Sequence, residues 1–353
     1  MVVEPESLGW LEGRQVAHRD GATWAETFAR FPRLEAVVCD GGTGLHAGLD
    51  LVRRRRREAG DPRVLDRGLD VFHTLRDGRR ALRSTWRRVG EAIERAGAMD
   101  RALASRTWHG RPLAGHGGAA GVAWRKAERL WDRAVAIEAA WDEARTALEL
   151  FTPEGRLMTR PQAEAILAKA SPGLVGVEWS KTRRTLARRE SLSFLDWVAR
   201  GLAALSLPAP TLAEILSLEG ARRAQSRPGG ATRGTPGLAL VRMVQLSKAD
   251  ADWGASASRV RQVLRDAWRA SSLVECINSV VRMQQARHRK MTQGLLDLKR
   301  LYWNLRRFRT GRRRGKAPYE LLGVRLPERG WWELLKMPPE QLRQHLSASE
   351  LAP

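Results

Sequence analysis

The feature that most restricts the fold is a change of pattern near Thr74. Before it, short apolar runs are separated by turn residues, whereas from Thr74 to Gln225 apolar positions recur only at helical spacing. Such a chain joins a small strand-containing part to a large all-helical one. In the first part, Met1-Val2-Val3, a turn at Glu4-Pro5-Glu6-Ser7 and Leu8 to Val16, broken at Gly13, read as an extended pair. Thr23-Trp24-Ala25-Glu26 fits a capping box that opens a helix running to Phe31. Leu34 to Cys39 is a continuous apolar run of the length of a buried parallel strand, and it ends in Asp40-Gly41-Gly42-Thr43-Gly44.

That run sets the Asp40 carboxylate at the C-terminal end of a strand, the edge at which open α/β sheets bind ligands. Asp40 equally fits a residue that starts a tight turn or caps the next helix. The glycines lack the spacing of a dinucleotide loop. A helix from about Leu45 to Glu58, ending in five consecutive arginines, precedes a strand at Leu69-Asp70-Val71-Phe72-His73. His73 is then either a packing residue or a neighbour of the same edge.

In the helical part, Leu130, Ala134, Ile137, Trp141, Ala144 and Leu148 form the apolar stripe of a long helix, with Trp124 and Trp131 beside it as core aromatics. Thr159 before Pro161, Ser191 to Leu205 and the capping box Thr211-Leu212-Ala213-Glu214 signal further helices. Residues 226–237, rich in Gly, Pro, Ser and Thr, form a linker by composition. Helices follow at Ser256 to Trp268, around Glu275, and at Thr292 to Phe308 with Leu295, Leu298, Tyr302 and Leu305 facing inward. The implied division is 1–73, a helical insertion 74–225, the linker, 238–325, and a tail 326–353.

Charge selects the partner. With 62 Lys+Arg against 39 Asp+Glu, the net charge is +23 and the pI about 11.4, a field that attracts phosphate backbones whatever the fold. Between Arg259 and Lys316 only Asp266, Glu275 and Asp297 interrupt the basic residues. Glu275, Asn278 and Arg282 share one face of a helix beside the apolar Leu273, Ile277 and Val280. Ser272-x-x-Glu275 fits a capping box, and Glu275 also fits a metal-binding carboxylate among phosphate-binding cations; the two are compatible. Two cysteines make no disulfide framework, and neither a zinc spacing, a P-loop nor a membrane-spanning stretch occurs.

The order of these elements, with three stretches, resembles the DDE transposases of bacterial insertion sequences. Val37-Val38-Cys39-Asp40-Gly41-Gly42-Thr43-Gly44-Leu45 is similar to the family's strand with the second aspartate, and Asp70-Val71-Phe72-His73 to the strand and histidine that follow. Ser271 to Ser279, with Thr292 to Leu298, Tyr302-Trp303-Asn304 and Gly315 to Gly323, is similar to the family's glutamate region. The resemblance spans residues 1 to about 325. It implies an α/β fold, a ribonuclease-H-like mixed sheet interrupted by a large all-α insertion, with Asp40 and Glu275 as catalytic, metal-holding carboxylates.

Two Mg²⁺ (or Mn²⁺) ions would serve in-line phosphoryl transfer, with His73 at the site edge. Asn278, Arg282, Arg287, Arg289, Lys290, Arg306, Arg307, Arg312, Arg313 and Arg314 would bind DNA, both the terminal inverted repeats and the target. No membrane partner is expected; a homodimer on DNA and a bacterial, cytoplasmic, nucleoid-associated location fit the same resemblance. The pattern departs from the family at its start. The fold has three antiparallel strands before its first helix, with the first aspartate on the first of them, and only two fit before Thr23. The expectation is an N-terminally truncated transposase, inactive as this chain; the alternative is a non-catalytic basic DNA-binding remnant. RNA binding would need aromatics exposed among the basic residues, whereas most of the tryptophans fit core stripes.

Overall fold

Strands are short and few in the computed structural model, which describes residues 1–225, 237–267, 272–285, 291–326, 330–338, 340–341 and 344. The chain is of α/β class with a large helical part. It divides into two compact units: Met1–Asp66 with Ala270–Pro353, and Arg67–Arg269.

In the first unit, β1 (Val2–Val3) pairs antiparallel with β2 (Trp10–Glu12) in the register Val2↔Glu12 and Val3↔Trp10. The extended stretch expected through Val16 is therefore confined to three residues. The Glu4 carboxylate accepts the Glu6 and Ser7 amides at 2.8 and 2.7 Å and so builds the intervening turn. Helix α1 (Gly21–Ala29) is capped by Asp20, whose side chain accepts the Thr23 N–H at 2.9 Å. The Thr23–Glu26 capping box is thus corrected: the helix begins at Gly21, so Thr23 is its third residue and its amide is the one the Asp20 cap satisfies. β3 (Ala36–Cys39) leads into α2 (Thr43–Glu58) and forms a second two-stranded sheet with β4 (Asp66–Leu69), the strand along which the chain passes from the first unit into the second. Among the described residues the sheets are separate, where one mixed sheet is expected.

The strand expected at 69–73 is also corrected. Asp70 ends the extended backbone and caps α3 (Val71–Trp108), so Val71, Phe72 and His73 form a helical first turn. Helix α4 (His116–Thr146) runs back along α3, since Gly78 meets Trp141, Trp86 donates to Glu138 and Trp124 donates to Asp100. Ala134, Ile137, Trp141, Ala144 and Leu148 are buried, as the stripe requires. Trp124 and Trp131 are not core residues: they bridge the two helices at their exposed margin, with Trp131 49% exposed.

The rest of the second unit is α5 (Arg160–Ala170), α6 (Ser180–Leu186), α7 (Ser193–Ala204), α8 (Ala209–Gln225), α9 (Gly237–Ala249) and α10 (Ala251–Asp266). Thr159 and Gln162 form the capping box that opens α5. One apolar cluster runs from Val71 through Trp141, Trp179 and Leu195 to Met243, Trp253 and Val260. Helices α9 and α10 therefore belong to the helical unit, whereas 238–325 was expected to resume the first part. Except for Gly237, the 226–237 linker lies outside the described residues.

The first unit resumes with α11 (Ser272–Gln285), α12 (Gln293–Leu305), α13 (Pro318–Leu321) and α14 (Trp331–Lys336). Leu305 is buried, but Leu298 is 51% exposed and does not face inward. Beside Leu305, α12 buries a polar side chain. Asn304, 1% exposed, accepts the Trp10 N–H and donates to the Trp10 C=O, both at 2.9 Å. Trp303 donates to Leu8 O, Arg300 to Leu11 O and Gln293 to Gly13 O, while Gln293 accepts from the Gln15 amide. The side chains of α12 thereby satisfy backbone groups along segment 8–15, of which the two of Trp10 would otherwise be buried unpaired.

Candidate active site and basic surface

Asp40 follows β3 directly and is exposed, while Cys39 before it is buried; Ala36 is exposed and Val37 and Val38 are half-buried, so β3 is not the fully buried strand that the apolar run suggests. It does not cap α2. The cap residue is Gly42, with no side-chain hydrogen bond, and the Gly42 N–H instead closes a turn on the Asp40 carbonyl at 2.6 Å. Among the described residues the Asp40 carboxylate has no hydrogen bond or ion pair.

The glycines after it serve packing. A Cβ on Gly44 would stand 1.9 Å from the Arg19 carbonyl oxygen, and one on Gly48 would stand 2.5 Å from the Trp24 Cβ. They let α1 and α2 approach closely over the cluster of Ala25, Phe28, Cys39, Leu49, Val52 and Leu65.

Glu275 lies in the first turn of α11 and is half-buried, with the exposed Arg282 guanidinium 4.0 Å away. Asn278, also half-buried, shares this face. Ile277 and Val281 bury the opposite side in a cluster with Trp10, Met1, Val3 and Trp303. The side chains of Ser272, Leu273 and Val280 lie outside the described residues, and with them the proposed capping box. β2 and α12 thus position Glu275 through the apolar side of α11, while the β3 turn positions Asp40. The two carboxylates belong to one unit but sit on elements of different hydrophobic clusters. No hydrogen bond or ion pair joins them among the described residues.

His73 belongs to the other unit. Its Nδ1 lies 2.5 Å from Oδ2 of Asp70, the buried cap of α3. Arg306, Arg312 and Arg314 are exposed, and Arg307 pairs with Glu320 at 2.7 Å. Arg313 is committed to structure: it donates to the Glu6 and Pro5 carbonyls at 2.6 and 2.9 Å, and burial followed by the neighbouring Arg312 lowers its pKa. Arg287, Arg289 and Lys290 lie outside the described residues.

Sequence reasoning passed over Glu12, a buried carboxylate on β2. Arg30 holds it at 3.1 Å, with Arg300 at 3.9 Å and Arg14 at 4.0 Å. Three guanidinium groups neutralise it, so it is not a free metal ligand. Asp40 and Glu275 offer the oxygen donors that Mg²⁺ prefers, but two carboxylates do not complete a two-ion centre. No group of three or more metal-binding side chains occurs among the described residues, and no described helix is long and apolar enough to cross a membrane. Nor are all the tryptophans core residues: Trp108 is 86% exposed, and Trp331 and Trp332 also face outward. No protein family, curated protein or solved structure matches the chain.

Proposed function

We propose that the first unit is the catalytic region of a DDE-type DNA transposase, with a ribonuclease-H-like sheet whose first, aspartate-bearing strand is not among the described residues. One observation carries the reading. Asp40 and Glu275 fold into a single unit although the whole helical unit lies between them in the sequence, the layout of a catalytic domain interrupted before its last acidic residue.

The separate sheets depart from the single mixed sheet of that fold, and the reading requires a further strand to join them. Both backbone groups of Trp10 are taken by Asn304, which leaves β1 as the strand where the β1–β2 pair can be extended. A strand added beside β1 that also reached β3 would unite the two sheets and bring a carboxylate toward Asp40. With that third ligand, Asp40 and Glu275 would hold Mg²⁺ or Mn²⁺, which supplies Lewis acidity for phosphoryl transfer at the DNA ends of an insertion element. The net charge of +23 suits a DNA substrate.

The test uses DNA carrying the element's ends, with Mg²⁺ or Mn²⁺. The 353-residue chain is expected to bind this DNA without cleaving it. A chain extended ahead of Met1 by an aspartate-bearing strand is expected to cleave it and to lose that activity in Asp40→Asn. Cleavage by the unextended chain, abolished by Asp40→Asn, would overturn the missing-strand argument. Binding without cleavage by the extended chain would leave only a non-catalytic DNA-binding remnant.

A further inference from the structure

The helical unit carries a basic ridge in addition to the arginines of the first unit. On α3 the buried face is Val71, Thr74, Gly78, Ala81, Thr85 and Val89. Arg76, Arg79, Arg80 and Arg83, spaced at i, i+3, i+4 and i+7, cover the opposite face and are all exposed. The acids nearby are already matched, Asp77 by Lys181 at 2.8 Å and Glu178 by Arg88 at 3.0 Å. None of the four ridge arginines has an ion pair among the described residues. Arg76 stacks over the ring of Phe72, 5.9 Å from its centroid, at the start of the ridge.

Four unpaired guanidinium groups within two helical turns, about 10 Å of axis, repel one another unless an anion lies across them. A backbone carrying a negative charge about every 3.4 Å per strand meets that density. We infer that this ridge of α3 is a second DNA-binding surface, which holds the phosphate backbone of duplex DNA. The inference deepens the transposase reading by resting on DNA as its partner. An anionic membrane is the weaker occupant, because among the described residues Phe72 is the one exposed apolar side chain at the ridge and stands at its end.

The test is fluorescence anisotropy with a labelled random-sequence duplex between 50 and 200 mM salt. Replacing Arg76, Arg79, Arg80 and Arg83 together by Gln should reduce the slope of log K against log salt by about 3.6, roughly 0.9 per lost phosphate contact. The loss of affinity over that fourfold salt range then shrinks by on the order of a hundredfold. The same four positions changed to Lys should keep the slope, which separates charge from any effect on folding.

A Gln variant that melts like the parent and keeps its slope overturns the ridge and leaves the transposase reading standing. A parent chain that binds no duplex overturns both. Loss of binding to phosphatidylserine vesicles, with DNA binding unchanged, would assign the ridge to membranes and overturn the proposal.

Discussion

Asn304 gives the sharpest test of how the first unit is held together. Its side chain satisfies both peptide groups of Trp10, which is itself 2% exposed, so water cannot replace it. Asn304→Ala leaves a buried N–H and a buried C=O unpaired, at about 1–3 kcal/mol each. The expected loss is about 4 kcal/mol, to which the small void adds little. Hydrogen–deuterium exchange reads this locally. At 1.4 kcal/mol per tenfold change, protection of the amides in segment 8–13 should fall by on the order of a thousandfold, while the Trp141–Trp179 region of the other unit stays as it was. Asn304→Asp keeps the acceptor but sets a carboxylate against the Trp10 carbonyl; protonation at low pH restores a donor, so that variant should recover stability on acidification. Because Trp10 shares a cluster with Ile277 and Val281, protection of α11 should fall along with that of β2. A cost below about 1 kcal/mol, with unchanged protection at Trp10, would refute the argument from unsatisfied backbone groups.

Gly44→Ala forces a Cβ into the Arg19 carbonyl and should cost about 3 kcal/mol in urea unfolding, whereas Gly42→Ala meets only side-chain atoms, of Asp40 at 3.2 Å and of Leu45 at 3.6 Å, and should cost less than about 1 kcal/mol. A thiol reagent should titrate one cysteine in the native protein, the exposed Cys276, and reach the buried Cys39 only after denaturation. Burial raises the Glu219 pKa, but bonds from Arg261 and Arg222 outweigh it and leave the value lowered. Its stabilising contribution is therefore present above the ordinary carboxylate range and lost as pH falls through the lowered value; Glu219→Gln should cost about 3 kcal/mol near neutral pH and flatten the acid side of a stability profile. Glu275→Gln should leave duplex affinity unchanged or slightly raised in anisotropy, since it removes one negative charge from a basic face; a large loss of affinity would contradict its place beside the phosphate-binding cations.

Features decided within a few residues were legible in the sequence. The 3.6-residue stripe from Ala134 to Leu148 and the helix start signalled by Thr159 before Pro161 depend on side chains one or two turns apart, and each is found where the spacing puts it, whereas the Thr211–Glu214 capping box is corrected because α8 begins at Ala209 and Thr211 lies inside it. Asp40 at the end of an apolar run was legible for the same reason, as the residue that directly follows β3. The start of α1 was misjudged because Asp20 and Thr23 are both competent caps, and which oxygen meets the free amide depends on the path of the preceding chain. The Asp70 cap was hidden because Val71 and Phe72 suit a strand as well as a helix. The inward face of α12 was legible only in part, at Leu305. Apolar periodicity favoured Leu298, yet the folded chain turns Gln293, Arg300 and Asn304 toward β2, because that segment's backbone needs donors and acceptors that only a partner nearly three hundred residues away supplies. The allegiance of α9 and α10 to the helical unit was settled in the same way, by the burial of Met243, Trp253 and Val260 among distant side chains. Caps and periodicity are short-range energies written in adjacent residues, whereas the satisfaction of buried polar groups and the closing of a core are decided only when remote segments meet.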